Sequence, residues 1–361
     1  MTMQTATRSV SGLTVIEPDD SAWDAFAGRH PNGHLLQSSA WGRLKRSVGW
    51  EARRVGVAGA GQATLAGAQV LIKRRFGLAA AYVPRGPILS GDHDADALLL
   101  SELDRLARRS RAVFLRLEPN LLETDPTAAA LSDSLLGRGF VSAAPIQPRS
   151  SIHLELAPPP ERLLAAMSKG HRADIRRAAR EGVTVRAGTE PADLDAFYTI
   201  MEQTGERANF VIHSRAYYRD AWELFRPGGS RLLLAERDGR ALGACMVFAW
   251  AGAGLYLYGG STDEGLRAGA NHALQWEALQ WALERGCALY DFWGIPDALG
   301  RAASAGGAER ERLEAEAQRD PLIGVYRFKK GFGGRTVRYL PAFDRRYIPP
   351  LYDLWQRRVS M

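Results

Sequence analysis

Apolar residues recur along this chain with two spacings, one typical of strands and one of helices. Residues 255–261, LYLYGGS, predict a strand that ends in a glycine turn. The helix predicted next has its apolar positions at Leu274, Ala278, Trp281 and Ala282. Asn271 is its predicted N-cap and Gly286 its predicted stop, and the apolar run 288–292 predicts a second strand. This unit is typical of a right-handed crossover between parallel strands, where ligands bind at the strand ends beside the helix N-terminus.

The same order of elements is predicted twice. The first half has a helix capped by Ser38 or Ser39, strands over 52–58, 65–73 and 80–84, a helix over 94–109 and a strand over 112–118. The second half has helices over 191–205 and 214–225, strands over 231–236, 241–250 and 254–258, and then the crossover helix and strand. This repeated order predicts a duplicated α/β unit. A last helix is predicted after Pro349 and Pro350.

Two charged segments interrupt this pattern. The prolines at 158–160 predict a joint, and a basic helix is predicted over 160–181 with Lys169, Arg172, Arg176 and Arg180 on one stripe. Two interpretations stay open, a solvated face of a packed helix and a surface that contacts the phosphates of a nucleic acid. Residues 297–320 are charged and poor in large apolar groups, which predicts an exposed insertion with one solvated helix around 308–318.

Composition narrows the class of protein. The net charge of +7 comes from 47 basic and 40 acidic residues. Most of the basic residues are arginines, which fit either a polyanionic partner or a genome rich in arginine codons. Cys245 and Cys287 lie in apolar segments and are predicted to be buried thiols of a reducing compartment. No apolar run reaches the roughly 18 residues of a spanning helix, and no signal-peptide pattern is present at the N-terminus. We therefore expect a cytoplasmic protein, with peripheral membrane contact left open.

Motif searches exclude several chemistries. The chain has no phosphate-binding P-loop, no G-x-S-x-G elbow, no H-x-x-x-H pair and no cysteine pair with metal-ligand spacing, so no metal site is predicted. The segment RFKKGFGG places Lys329 and Lys330 between two phenylalanines. In an extended segment only one lysine can face a pocket, where it can stabilise an oxyanion. The alternative is a hairpin with Phe328 and Phe332 in the core and both lysines in solvent.

Polar and aromatic side chains also mark the two strands of the crossover. Tyr256 and Tyr258 are predicted to share one face of their strand, and Asp291 and Trp293 one face of theirs. An acid in so apolar a strand needs partners, so Asp291 is predicted to accept structural hydrogen bonds rather than to act as a base.

Several segments, in order from residue 36 to residue 355, resemble the Fem family (FemAB and FemX). They are LQSSAWGRLKRSVGW, YVPRGPIL, KGHRADIRRAAREGV, YLYGGS with NHALQWEAL, YDFWGI, and FKKGFGG with the later Pro-Leu-Tyr helix. Members of this family are tRNA-dependent aminoacyltransferases that build peptidoglycan interpeptide bridges. The resemblance implies an α/β (α+β) fold of two tandem GNAT-like acyltransferase domains with mixed sheets and a C-terminal helix that returns to the first domain. It assigns 1–157 with 336–361 to a muropeptide-binding domain and 158–335 to a catalytic domain.

The resemblance also implies partners and residue roles. Aminoacyl-tRNA would be the donor, UDP-MurNAc-peptide or lipid II the acceptor bound in a cleft between the domains, and no cofactor is expected. The implied roles are diphosphate binding by Lys45 and Arg215, acceptor binding by Tyr256 and Tyr258, and contact with the transferred acyl group by Lys329. We add Lys169, Arg172 and Arg176 as expected tRNA contacts. The chain departs from the family at Trp293, where YDFGG is usual, and at 297–320, where some members have a long helical hairpin.

The resemblance therefore implies an enzyme that moves an amino acid from aminoacyl-tRNA to the side-chain amine of a peptidoglycan stem peptide. One alternative is a CoA-dependent N-acyltransferase of the same fold. That chemistry needs a Q/R-x-x-G-x-G/A loop before the helix, and the glycines of GLRAGANHA are out of register with it. A second alternative is a non-catalytic homologue that binds the precursor or tRNA.

Overall fold

The structure is a computed structural model that describes residues 9–10, 12–157, 159–208 and 210–359. The chain forms two compact units. One unit comprises the described residues up to Gln147 together with those from Tyr339 onward, and the other extends from Pro148 to Arg338. The joint predicted at 158–160 includes Pro158, which lies outside the described residues.

The described chain contains both strands and helices. The strands are β1 (Ser9–Val10), β2 (Leu13–Ile16), β3 (Glu51–Ala58), β4 (Thr64–Arg75), β5 (Leu78–Val83), β6 (Ala112–Leu117), β7 (Val141–Ala143), β8 (Ser150–Glu155), β9 (Thr184–Ala187), β10 (Ser230–Arg237), β11 (Arg240–Trp250), β12 (Ala253–Ser261), β13 (Leu289–Gly294), β14 (Arg335–Arg338) and β15 (Ala342–Arg346). The α-helices are α1 (Asp20–Ala27), α2 (Ser39–Ser47), α3 (His93–Arg109), α4 (Ala128–Gly137), α5 (Pro160–Ala166), α6 (Lys169–Arg180), α7 (Pro191–Ala208), α8 (Arg215–Phe225), α9 (Asp263–Ala268), α10 (Ala270–Glu284), α11 (Asp297–Ser304), α12 (Gly307–Ala317), α13 (Ile323–Lys330) and α14 (Pro349–Val359).

The first unit is built on a mixed sheet with the strand order β1-β2-β3-β4-β5-β6-β15-β7. Strands β2 to β5 pair antiparallel in sequence, and β5 pairs parallel with β6 after the crossover through α3. The helix buries Leu99, Leu103 and Ala107 in the same core as the strand residues Ile72 and Leu115. This apolar stripe at helical spacing is what holds α3 on the sheet.

Strand β15 and helix α14 bring a late segment of the chain into the first unit. Arg116 on β6 donates from Nε and Nη2 to the carboxylate of Asp344 on β15 over 2.7 and 2.6 Å, and both side chains are buried. Tyr352 on α14 donates to the same carboxylate over 2.8 Å and packs its ring against Phe114. A C-terminal helix that returns to the first unit was implied by the resemblance, and the structure confirms it.

The second unit repeats this plan. Its sheet has the order β14-β8-β13-β12-β11-β10-β9, in which β10, β11 and β12 are antiparallel and β13 is parallel to β12. Helix α10 forms the crossover and buries the four predicted apolar residues, Leu274, Ala278, Trp281 and Ala282. The predicted duplication of three antiparallel strands, a helix and a parallel strand is therefore confirmed.

Two predicted helix boundaries were wrong. The basic helix expected over 160–181 is two helices, because Met167 and Ser168 are extended and the Ser168 hydroxyl accepts from the His171 amide, which starts α6 afresh. Helix α10 starts at Ala270 rather than after an Asn271 cap. Gly269 ends the short helix α9 and also precedes the first residue of α10. Its φ of 80° is left-handed, a conformation that favours glycine.

Two segments expected to be irregular or exposed are packed helices. Residues 297–320 form α11 and α12, which bury Leu299, Leu313 and Ala317 in the core of the second unit, so the segment is more than one solvated helix. The segment RFKK is the end of helix α13 and not a hairpin strand. Both segments are rich in charged residues, and their apolar residues recur over only a few positions. The sequence pattern therefore did not predict that these helices pack against the core.

Three further properties bear on function. Cys245 and Cys287 are buried free thiols, as predicted. Among the described residues, none of the helices combines the length and apolar character that crossing a bilayer requires. Within the same part of the chain, no cluster of three or more His, Cys, Asp or Glu side chains is placed to hold a metal ion.

Candidate functional site

A cavity lies in the second unit where strands β12 and β13 separate. The two strands pair only from Ala253 to Leu255 on β12, although β12 continues to Ser261. Beyond the paired segment a cavity of about 560 Å³ is present. Its walls include Tyr256 and Gly259 of β12, Trp293 of β13, His272 of α10, Lys329 of α13 and Phe210, which follows α7. Ligands of α/β sheets bind at such strand ends, so this cavity is the candidate site.

Tyr256 and Tyr258 face opposite sides of the sheet, contrary to the prediction. A bulge in β12 leaves Leu257 without a partner, so Tyr256 lies opposite Val247 and Tyr258 opposite Met246. The extra residue reverses the alternation of side chains. Tyr256 consequently packs against the core and lines the cavity, whereas Tyr258 is absent from the cavity walls.

Tyr258 belongs instead to an aromatic cluster on the other face. Its ring centre lies 5.2 Å from that of Tyr218 and 6.0 Å from those of His213 and Phe248. Burial raises the pKa of the Tyr258 hydroxyl well above its ordinary value. This packing is typical of a structural tyrosine.

Lys329 is buried in the cavity wall. Its Nζ donates to the main-chain oxygens of Trp293 and Gly294 over 3.1 and 2.7 Å, and lies 5.9 Å from the ring centre of Tyr256. Burial lowers its pKa to about 7, although the negative charge of Asp291 acts in the opposite direction. Lys330, about 100° further around the helix, is exposed and donates to the oxygen of Gly334. Of the two lysines, only Lys329 lines the cavity.

Asp291 holds the end of β13 in place. Its carboxylate accepts from the Ser151 hydroxyl and from the Trp293 amide at 2.7 Å, and Nε2 of His153 lies 3.5 Å away. Although burial opposes ionisation, these partners keep the pKa of the carboxyl below its usual range. The predicted structural role of Asp291 is therefore confirmed. The predicted strand alternation stops here, because Trp293 has φ 64° and the ladder shifts register between Asp291 and Gly294.

His272 lies in another wall of the cavity and contacts His171, and the sequence analysis identified neither residue. The His272 ring lies edge to face with that of His171, with 4.6 Å between ring centres, and its Nε2 is 3.4 Å from Oδ2 of Asp174. Burial, followed by the charge of His171, lowers the pKa of His272 to about 4. Nε2 of His171 lies 2.6 Å from the Phe328 oxygen. These contacts connect α6 and α10 to the helix that carries Lys329. Their only signal in the sequence is the pair of short segments KGHRAD and ANHAL.

Two other predicted ligands are not among the residues that line this cavity. Lys45 is on α2 of the first unit, where its Nζ stands 4.6 Å from the ring centre of Trp41 and burial lowers its pKa to about 8. Arg215 starts α8 in the second unit, is exposed, and forms an ion pair with Asp195. Neither residue lines the cavity.

The cations of α6 differ in their surroundings. Lys169 and Arg176 are exposed. Arg172 donates from Nη1 to the oxygens of Ala165 and Met167 over 2.9 and 2.5 Å. Because these carbonyls lie at the end of α5, Arg172 caps that helix and is less available to a nucleic acid than its two neighbours.

Comparison with known proteins gives two family matches. Residues 19–133 match the FemAB family and residues 166–330 match the acetyltransferase (GNAT) domain. A lipid II:glycine glycyltransferase of Staphylococcus saprophyticus is 24% identical, with 93% of each chain covered.

Solved structures show the same architecture. A crystal structure of FemX superposes with a TM-score of 0.81 at 22% identity, covering 94% of this chain and 99% of that one. A tandem GNAT protein from the clavulanic acid biosynthesis pathway superposes with a TM-score of 0.53 at 14% identity, covering 92% and 98%. The chain therefore has two tandem GNAT-like units with mixed sheets, as the resemblance implied.

Proposed function

The chain belongs to the Fem family, and from this we propose that it transfers an amino acid from aminoacyl-tRNA to the side-chain amine of a peptidoglycan precursor stem peptide. The observation that carries the proposal is the buried Lys329 in the wall of the cavity between β12 and β13. A cation held in a site of low polarity stabilises developing negative charge far better than one in water.

The reaction needs little covalent help from the protein. The amine attacks the ester carbonyl, a C–N bond forms, the C–O bond to the tRNA ribose breaks, and the amine proton leaves with the ribose oxygen. Because the ester is already activated, positioning and charge stabilisation suffice. An ammonium group has three N–H donors, and two of those on Lys329 are directed at the oxygens of Trp293 and Gly294. Among the described residues no acceptor takes the third, which we assign to the oxyanion.

We propose that the first unit holds the precursor through its diphosphate. Lys45 is the main candidate, because its ammonium group is partly withdrawn from water beside Trp41 and therefore interacts strongly with an anion. Arg215 is a weaker candidate, since Asp195 already neutralises it. Tyr256 is the tyrosine that we place beside the acceptor amine; Tyr258 supports the other face of β12. The precursor would be UDP-MurNAc-peptide or lipid II.

We propose that Lys169 and Arg176 contact the tRNA, since both are exposed on one stripe of α6. Helix α6 also carries His171, which contacts the helix of Lys329, so a tRNA bound along α6 would bring its aminoacyl end towards the cavity. The donor is a cytoplasmic molecule, which places the reaction in the cytoplasm, at the membrane surface if the acceptor is lipid II.

The CoA-dependent alternative is less well supported. A pyrophosphate needs free N–H groups and positive charge at the helix start after β12. Here α9 begins with the carboxylates of Asp263 and Glu264, and the Thr262 hydroxyl occupies the Gly265 amide. At the start of α10, Gly269 is packed so closely that a Cβ there would lie 2.6 Å from the Asp174 oxygen. Both helix starts therefore disfavour a pyrophosphate. The intact cavity with its buried lysine likewise argues against a non-catalytic homologue.

Transfer assays separate the three functions. The purified chain would be incubated with either precursor and with radiolabelled aminoacyl-tRNA or radiolabelled acetyl-CoA. We expect label from tRNA, and none from acetyl-CoA, on the stem peptide. Label from acetyl-CoA alone would establish the CoA-dependent function, and tight precursor binding without transfer would establish the non-catalytic one.

A further inference from the structure

Another cavity, of about 520 Å³, lies in the first unit and is lined mainly by arginines. Residues of helix α3, of the segment that follows α4 and of strand β15 form its walls. The walls comprise Leu100, Ser101, Asp104, Arg105, Arg108, Arg138, Phe140 and Arg345. None of these residues lines the cavity of Lys329, so this cavity is a separate candidate site.

Asp104 holds two of the arginines at this cavity. Its Oδ2 accepts from Nε of Arg108 over 2.8 Å, and its Oδ1 lies 2.8 Å from Nε of Arg345. The Tyr347 hydroxyl donates to Oδ1 over 2.9 Å. Although burial opposes ionisation, these partners keep the pKa of the Asp104 carboxyl below its usual value. Because Asp104 engages only the Nε atom of each guanidinium, the terminal amino groups of both have no acceptor among the described residues.

The arginines at this cavity outnumber the acids around them. Asp104 serves two guanidinium groups at once, and Arg105 pairs with Glu102. In the part of the chain that the structure describes, half-buried Arg138 has no carboxylate within ion-pair distance. Like charges gathered in one cavity repel each other, and a bound anion removes that cost. An ion-pair network that only stabilised the fold would be closer to neutral, so the composition is that of an anion site.

We propose that this cavity binds the phosphate group of a small phosphorylated molecule. Arginine binds phosphate oxygens through paired N–H donors, and the terminal amino groups of Arg108 and Arg345 supply such pairs. Arg138 adds a further guanidinium group, and the buried side chains of Leu100 and Phe140 give the organic part of the ligand an apolar wall. A volume of about 520 Å³ falls within the range of small-molecule sites, whereas a nucleic acid or a bilayer would contact a broader surface.

Calorimetric titration of the full-length protein tests this site. Pyrophosphate, inorganic phosphate and AMP are the probes, and every protein carries Lys45→Ala so that the diphosphate site proposed above does not contribute. We expect the probes to bind and Arg138→Gln to weaken their binding about 10- to 100-fold, because a hydrogen bond to a charged group is lost. Arg138→Lys keeps the charge without the paired donors and should weaken binding less. Arg109→Gln is the matched control, since it removes the same charge from an exposed arginine of this unit that does not line the cavity.

Two results of the titration would overturn the inference: no binding of any probe, or equal weakening by Arg138→Gln and Arg109→Gln. Arg138-dependent binding of tRNA or of phosphatidylglycerol vesicles, without binding of the small probes, would also overturn it and would assign the surface to that larger partner. These titrations do not involve transfer at Lys329, which the transfer assays test separately.

Chemical modification of arginine gives a second measurement that needs no substitution in the cavity. In the Lys45→Ala protein, pyrophosphate should slow the reaction of phenylglyoxal with Arg138 and Arg345, and should leave the reaction of Arg109 unchanged. Mass spectrometry of the digested protein locates the modified residues. Equal rates at Arg138 with and without pyrophosphate would overturn the inference even if Arg138→Gln failed to fold.

Discussion

The side-chain nitrogen of Lys329 lies 2.7 Å from the main-chain oxygen of Gly294, at the end of the strand that borders the cavity. With the contact to the Trp293 oxygen, it fixes where the buried positive charge is located. Neutral carbonyl groups position the ammonium group without cancelling its charge, as a carboxylate would. A positive charge held in a fixed position in a site of low polarity is the arrangement that oxyanion stabilisation requires.

Replacement of Lys329 should separate turnover from binding. We expect Lys329→Met to lower kcat about 100- to 1000-fold, the range found when an oxyanion donor is removed, and to change precursor affinity by less than about twofold. Lys330→Met, which removes the same charge from the exposed neighbour, should leave both quantities near those of the wild type. Steady-state kinetics and calorimetric titration measure the two effects. Equal losses of turnover and affinity, or no loss of either, would refute the oxyanion role.

The lowered pKa of Lys329 predicts how turnover depends on pH. Because burial brings this pKa to about 7, the ammonium form that stabilises an oxyanion is lost as pH rises through that value. We expect kcat under saturating donor and acceptor to fall above pH 7 in the wild type and in Lys330→Met. The residual activity of Lys329→Met should lack this fall. A wild-type kcat that stays constant between pH 7 and 9 would contradict the assignment.

The lowered pKa of Lys329 also predicts how stability depends on pH. Turnover should fall as pH rises, whereas stability should increase. Folded Lys329 loses its proton near pH 7, whereas the unfolded chain keeps it up to the ordinary lysine value of 10.5. Between these values the unfolded state binds more protons, so this residue makes the free energy of unfolding rise with pH. Relative to Lys329→Met, the wild type should therefore gain stability from pH 7 to pH 10. Urea unfolding at several pH values measures this difference, and a constant difference would contradict the burial of the charge.

Lys45 should contribute to precursor affinity rather than to turnover. We expect Lys45→Ala to weaken binding of UDP-MurNAc-peptide about 10- to 100-fold, because a hydrogen bond to a charged group contributes about 1.5–3 kcal/mol. Lys73→Ala is a suitable control, since Lys73 also lies over an indole of the first unit, that of Trp50, but its Nζ donates to the main-chain oxygen of Val48 over 2.7 Å. Calorimetric titration gives both affinities. Equal weakening by the two substitutions would indicate a general effect of charge.

Substitutions of Arg172 and Arg176 on α6 should affect different properties of the protein, stability in the first case and tRNA binding in the second. Arg172→Ala removes two hydrogen bonds to the end of α5 and should lower the thermal midpoint of unfolding by a few degrees. Arg176→Ala should leave the midpoint unchanged but weaken tRNA binding and reduce its dependence on salt by about one unit of slope. Calorimetry and binding titrations at several salt concentrations test these expectations. A loss of tRNA affinity confined to Arg172→Ala would reverse the assignment.

Sequence patterns predicted most of the fold because its elements carry strong local signals. The four apolar positions predicted for helix α10 are all buried, and α3 was predicted to within a residue of its ends. The site was harder to predict because single residues decide its geometry. One extra residue at Leu257 turned Tyr258 away from the cavity, and the packing of α13 placed Lys329 on a helix. The contact between His272 and Asp174 joins positions about a hundred residues apart, which periodicity does not detect.

The position of β15 between β6 and β7 has a consequence for biosynthesis. The ribosome must produce the whole second unit before it makes the strand that completes the first sheet, and until then Arg116 lacks its carboxylate partner. An N-terminal fragment released at residue 338 would thus carry an unfinished sheet and an uncompensated buried cation. Full-length synthesis is thereby a condition for the first unit to mature, so a prematurely terminated product would be a substrate for proteolysis rather than a half-active enzyme.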